Sequence, residues 1–258
     1  MLRVCFLVFA FLWVPVTSRY IGVDKFIKLA FSASKAAYIP FDIVRQFTSG
    51  KIMGENARGQ YTPSCVIGKW ETIAYERRGT EVLLFQSHLQ KMAVFAFRGT
   101  ERTINDWKKN FKIWLSNIYL PRCRLLKVHK GFHDRYKDIQ KWFEAQYRAI
   151  PHDYQIVITG HSLGGALATV SAAYGGGAIG RRPNAVITFA SPKVGDYTLR
   201  KCYQSVVGCD RTLRVKTRYD IVTAAPIFSY AHVCGSFTID RFTFSLSFNH
   251  GLYKGYER

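Results

Sequence analysis

The sequence predicts an α/β fold, a mainly parallel central sheet flanked by helices, on three observations. Residues 92–97, 154–159 and 185–190 are short continuous runs of apolar and β-branched residues, the composition of strands buried on both faces. Helix-forming stretches lie between such runs, which calls for parallel neighbours joined by crossovers. No repeat, low-complexity tract or linker divides the chain after residue 18, so residues 19–258 are expected to form a single domain.

The elements follow in order. Residues 24–38 carry Phe26, Ile27, Ala30, Phe31 and Ala37 at helical spacing, and Tyr38-Ile39-Pro40 ends that helix. Residues 71–76 and 81–86 read as two strands of a hairpin around Arg77-Arg78-Gly79. The strand at 92–97 is closed by Arg98-Gly99-Thr100, and a helix at 132–149 stops before Pro151. The strand at 154–159 runs into Gly160-His161-Ser162-Leu163-Gly164-Gly165. A helix at 166–174 follows, with Gly175-Gly176-Gly177 expected to end it. Further strands are expected at 212–216 and 230–237.

The first eighteen residues read as a secretory leader: Arg3 supplies the positive start, residues 4–14 the apolar run, and Val16-Thr17-Ser18 the small residues of a cleavage site. The expected location is therefore extracellular. The whole chain has a formal charge of +20, and without the leader 36 Lys and Arg face 17 Asp and Glu. Such a surface suits anionic partners. Nucleic acid is not expected, since no zinc-finger spacing, aromatic RNA-binding motif or basic heptad region is present. An anionic membrane surface fits a secreted protein better, and no obligate protein partner is indicated. Removal of Cys5 with the leader leaves Cys65, Cys123, Cys202, Cys209 and Cys234, and an oxidising compartment favours disulfides. Cys202 and Cys209 are near enough in sequence to close a short loop; the odd thiol is expected to be a buried, inert one.

The pattern Gly160-x-Ser162-x-Gly164 carries the chemistry, because it sits between a buried strand and an alanine-rich helix, the strand-turn-helix setting of a nucleophile elbow. Glycines allow a tight turn there, and the helix N-terminus offers N–H groups to a developing oxyanion. A serine hydroxyl needs a general base oriented by a carboxylate, in the chain order Ser, Asp, His for such a fold. Downstream of Ser162 stand His232 and His250, with Asp196, Asp210, Asp220 and Asp240. Asp220 follows a strand, where catalytic carboxylates of open α/β sheets gather, and His250 lies in the loop-like Asn249-His250-Gly251. His232, inside an apparent strand, reads as a packing or supporting residue. His129 and His133 are spaced as a metal pair, but no further ligand lies nearby, and neither a metal nor a cofactor is expected.

Six segments resemble the class 3 lipases, the fungal-lipase-like branch of the α/β-hydrolases. They are Phe97-Arg98-Gly99-Thr100, Val128-His129-Lys130-Gly131-Phe132, the serine motif from Thr159 to Ala166, Thr188-Phe189-Ala190-Ser191-Pro192-Lys193-Val194-Gly195, Asp220-Ile221-Val222 and Asn249-His250-Gly251-Leu252-Tyr253. The resemblance implies the α/β-hydrolase fold, with Ser162 as nucleophile, His250 as base and Asp220 as its orienting carboxylate. It implies an oxyanion hole made by Leu163 and Thr100, and a lid at 101–107 whose large apolar residues are Ile104 and Trp107. Asn110 stands where fungal members carry a carboxylate supporting the oxyanion-hole hydroxyl. The expected function is hydrolysis of acyl-lipid esters at a lipid–water interface, as a triacylglycerol lipase or phospholipase A1. The alternatives are a carboxylesterase for small or aromatic esters and a catalytically silent lipid-surface-binding protein.

Overall fold

The computed structural model describes residues 23–38, 70–99 and 114–239. Within them lie strands β1 (Glu71–Arg77), β2 (Thr80–Ser87), β3 (Met92–Phe97), β4 (Leu115–Leu120), β5 (Arg124–His129), β6 (Gln155–His161), β7 (Ala185–Phe189), β8 (Thr212–Thr217) and β9 (Ser236–Ile239). The helices are α1 (Ile27–Ala36), α2 (Lys130–Ala149), α3 (Leu163–Tyr174) and α4 (Tyr197–Val206). Seven strands make one sheet in the order β1-β2-β3-β6-β7-β8-β9, while β4 and β5 pair as a separate hairpin. From β3 onward every pairing in the large sheet is parallel; β1 and β2 add an antiparallel edge. The mainly parallel sheet read from the sequence is therefore present.

Side-chain alternation builds two cores, one on each face of the sheet. Phe95 and Phe97 of β3 and Ile156 and Ile158 of β6 face α2, α3 and α4, while Val94, Ala96 and Val157 face α1. On the first face the α2 residues Phe143 and Tyr147 stack around Phe95, with ring centroids 4.9 and 5.8 Å away. On the other, Ser34 of α1 is hydrogen-bonded at 2.9 Å to the Thr159 hydroxyl of β6, which itself donates to the Ile187 carbonyl at 2.7 Å. These buried hydroxyls fix α1 across the strand that leads to Ser162.

Three expectations need correction. Gly175-Gly176-Gly177 does not end the helix: the chain continues as a π-helical turn, Gly175–Ile179, and stops at Gly180 with φ 84°. The glycines serve close packing instead, since a Cβ on Gly176 would stand 2.2 Å from the Val206 carbonyl oxygen. Residues 230–237 are not one strand; only a bridge at Ala231 and the short β9 form there. Cys202 does not pair with Cys209. Cys202 lies on the buried side of α4 and bonds Cys123 at the tip of the β4–β5 hairpin, and Cys209 bonds Cys234. Cys65 lies outside the described residues. The hairpin and α4 had no counterpart in the sequence reading.

Candidate active site

The elbow begins with β6, a central strand whose Ile156, Val157 and Ile158 are all fully buried. At its end Ser162 adopts φ 56°, ψ −124°, a backbone region that glycine alone visits at little cost. A non-glycine residue there carries about 1–3 kcal/mol of strain, and persists only where its surroundings over-determine it. They do so here. The Ser162 N–H donates to the Phe189 carbonyl of β7 at 2.9 Å, and its own carbonyl accepts from Gly165 and Ala166 at 3.0 and 3.2 Å. A Cβ on Gly160 would meet the Gly164 carbonyl carbon and oxygen at 2.4 Å, and a Cβ on Gly164 the Phe97 carbonyl oxygen at 2.1 Å. Strand, helix start and the end of β3 thus touch backbone to backbone. Leu163 opens α3, whose leading N–H groups have no acceptor inside the helix and favour negative charge beside Ser162.

Tyr38, just past α1, packs onto the same turn. Its hydroxyl lies 2.7 Å from His161 Nδ1, and it occupies the space a Cβ on Gly99 would need, 2.2 Å away. In the sequence Tyr38 reads only as a helix terminator; its place beside the elbow depends on a fold that brings residue 38 to residue 161.

Asp220 emerges at the end of β8, two strands from β6, so both residues leave the sheet at the carboxyl ends of parallel strands. It is 4% exposed and caps a short 3-10 helix, Ile221–Ala224, with Oδ1 accepting from the Val222 N–H at 3.0 Å. The Thr223 hydroxyl donates to the Asp220 carbonyl at 2.7 Å. Other aspartates are occupied differently. Asp196 caps α4 through the N–H groups of Thr198 and Leu199 at 2.9 and 3.2 Å, and Asp210 is a surface residue 3.8 Å from Arg211. Asp240 lies outside the described residues.

His232 supports the Asp220 turn from behind. Its Nε2 is 2.7 Å from the Thr223 carbonyl and 2.9 Å from Arg214 Nη2, while Arg214 Nη1 donates to the Cys234 carbonyl at 3.1 Å. Burial first, and the Arg214 charge second, push its pKa down to about 3, so it is neutral at pH 7. His129 and His133 sit in the aromatic core at the start of α2, the His129 ring 4.3 Å from that of Phe132. Burial, then Lys137, lowers His133 to about 4. Among the described residues no group of His, Cys, Asp or Glu is arranged to hold a metal ion. His250, Thr100, Ile104, Trp107 and Asn110 lie outside the described residues.

Residues 94–230, just over half of the chain, match the family described as Lipase (class 3). A lipase of Rhizomucor miehei is 32% identical over 111 residues, covering 42% of this chain and 29% of that protein. Phospholipase A1-IIgamma of Arabidopsis thaliana is 28% identical over 178 residues, covering 57% of this chain and 41% of that one. The chain thus spans less than half the length of these relatives. The solved structure of lipase II from Rhizopus niveus superposes with a TM-score of 0.68 at 23% identity, over 84% of this chain and 80% of that one. The fold is that of the α/β-hydrolases.

Proposed function

This chain belongs to the class 3 lipase family, and from that premise we propose that it is a secreted serine hydrolase that cleaves the carboxylic esters of acyl lipids. The observation that carries the proposal is the strained backbone of Ser162, φ 56° and ψ −124°, at the head of α3. Strain of this kind at a lone serine is retained where it aims the hydroxyl out of the sheet at a substrate. The buried carboxylate of Asp220, beyond the carboxyl end of β8 two strands away, supports it further.

In this reading the Ser162 hydroxyl gives its proton to His250 as its oxygen attacks the ester carbonyl, and Asp220 holds the imidazole in orientation and offsets its charge. The carbonyl oxygen becomes an oxyanion facing the N–H of Leu163 and the N–H and hydroxyl of Thr100. Collapse expels the alcohol with the proton from His250, leaving an acyl ester on Ser162. Water, deprotonated by His250, then releases the fatty acid. Ile104 and Trp107 are the large apolar residues of the lid expected at 101–107, and Asn110 is the candidate acceptor for the Thr100 hydroxyl in the resting enzyme, before that hydroxyl turns its single hydrogen to the oxyanion. Catalysis of this kind requires no cofactor.

The relatives above are named as lipases and a phospholipase A1, which supports acyl lipid as the substrate class and makes triacylglycerol and phospholipid the two candidates to compare. Two disulfides, Cys123–Cys202 and Cys209–Cys234, fit an oxidising compartment and hence secretion through the leader. The test is fatty-acid release by the protein and its Ser162→Ala variant from triacylglycerol emulsion and from phospholipid vesicles. Release by the parent and none by the variant is the expected result; equal release by both overturns the serine mechanism, and the faster substrate decides between lipase and phospholipase.

A further inference from the structure

We propose that the outer face of the β4–β5 hairpin, continued by the start of α4, docks this protein on an anionic lipid surface, with Tyr119, Leu125 and Tyr197 seated among the headgroups. The choice of a lipid partner rests on the lipid-hydrolase reading above; the surface itself is built from residues outside the candidate active site.

The hairpin has one buried and one exposed face. Ile118, Leu120, Leu126 and Val128 point into the core, while Tyr119 and Leu125, directly opposite each other in the register, are 66% and 58% exposed. The next outward pair along the ladder is Asn117 and Lys127. The free edge of β5 is closed by the segment entering α4. The Lys127 N–H donates to Thr198 Oγ1 at 3.1 Å, its carbonyl accepts from the Asp196 N–H at 3.1 Å, and Val128 bridges Gly195. Tyr197, in the middle of that contact, is 64% exposed, with the Arg200 guanidinium 5.9 Å from its ring centre. Cys123–Cys202 staples the hairpin tip to α4, so the two pieces form one covalently joined surface.

Its charge is predominantly positive. Lys127 on the outer face of the hairpin, Arg122 and Arg124 at its tip, and Arg200 and Lys201 on α4 are all exposed, and no salt bridge joins any of them to a carboxylate among the described residues. The one acid of the surface, Asp196, is engaged by two backbone N–H groups. Five exposed cations with no carboxylate partner among the described residues, on a chain of charge +20, favour an anionic partner. A soluble polyanion would satisfy the cations, but gains nothing from an exposed leucine beside two exposed tyrosines. A bilayer uses both: headgroup phosphates and carboxylates for the cations, the interfacial layer for rings with an apolar body and a polar tip.

The test is cosedimentation of the Ser162→Ala protein, which leaves the vesicles intact, with vesicles of phosphatidylcholine alone or mixed with about one-third phosphatidylserine. Binding is expected only to the mixed vesicles, weakening as salt rises. Arg124→Glu with Lys127→Glu should reduce it by about tenfold or more, as expected for removing two surface cations each worth a factor of about five. Tyr119→Ser with Leu125→Ser should weaken it without changing its salt dependence. A third variant, Lys201→Glu, carries the argument if a hairpin variant fails to fold, which thermal unfolding reports. In the active parent, the same substitutions should leave hydrolysis of a soluble ester unchanged. Equal binding to both vesicle types, or unchanged binding by the charge variants, overturns the proposal. So does full vesicle affinity in the Tyr119 and Leu125 variant combined with displacement by heparin, which would assign the surface to a soluble polyanion. Should the parent hydrolyse no ester while vesicle binding still depends on the hairpin, the enzymatic reading fails and the docking surface stands.

Discussion

The Phe97 carbonyl oxygen, the last of β3, occupies the position that a single methyl group on Gly164 would need, at 2.1 Å from the ideal Cβ. Backbone cannot retreat as a side-chain tip can, so the head of α3 has no room to grow. Gly164→Ala should therefore push α3 away from β3 and move Ser162 with it. We expect a stability loss of about 1–3 kcal/mol and a fall in soluble-ester turnover on the order of a hundredfold. Urea unfolding and initial rates measure the two effects; a variant with parent-like turnover would contradict this account of the elbow.

The Thr159 hydroxyl of β6 lies among three other buried oxygens: the Ile187 carbonyl at 2.7 Å, the Ala30 carbonyl at 3.3 Å and the Ser34 hydroxyl at 2.9 Å. Thr159→Val keeps the shape but removes these bonds, leaving the Ser34 hydroxyl and the carbonyls in the core without that partner. The expected cost is about 1–3 kcal/mol, read as a lower denaturant midpoint. Ser34→Ala removes only one bond and should cost less.

His232 makes stability depend on acid. Its folded pKa is about 3 against about 6.5 when unfolded, so between these values the unfolded chain takes up a proton that the folded chain refuses. The contribution is fully present above pH 6.5 and is lost as pH falls toward 3. His133, lowered to about 4, acts in the same sense. Since the His232 ring is partly exposed, the discounted effect is about 1–3 kcal/mol rather than the full shift. His232→Gln, which keeps a donor for the Thr223 carbonyl, should unfold with a shallower pH dependence between pH 4 and 7. Parallel curves for the two proteins would show that His232 charges freely in the fold.

The disulfides should differ in weight. Cys123–Cys202 closes a separation of 79 residues and Cys209–Cys234 one of 25. On chain entropy alone the longer ring contributes about 4.5 kcal/mol and the shorter about 3.5. Cys123→Ser with Cys202→Ser should therefore lower the thermal midpoint more than the corresponding change at Cys209 and Cys234. The reverse order would mean that local packing outweighs chain entropy here.

The centre of the sheet was legible because its strands there are buried on both faces: unbroken runs such as Met92 to Phe97 have no other economical reading. The elbow was legible because close backbone approach restricts Gly160 and Gly164 to one residue type. The β4–β5 hairpin was missed, since Leu115–Leu120 and Arg124–His129 alternate weakly, with Tyr119 and Leu125 on the outside. The helix α4 was missed because its buried residues are only Leu199, Cys202, Tyr203 and Val206 amid polar neighbours. Disulfide pairing depends on where α4 lands, and short sequence distance misled: Cys202 and Cys209 flank the end of a helix and face different partners. Tyr38 against His161 is a contact across 123 residues that no local pattern announces.

Ser162 lies inside the ring closed by Cys123 and Cys202, and Asp220 inside the ring closed by Cys209 and Cys234. A protease that cuts the chain once within either ring therefore releases no fragment. The two pieces stay tethered, and the cut shows on a gel only after reduction. The segments bearing Ser162 and Asp220 are each held by two covalent routes instead of one.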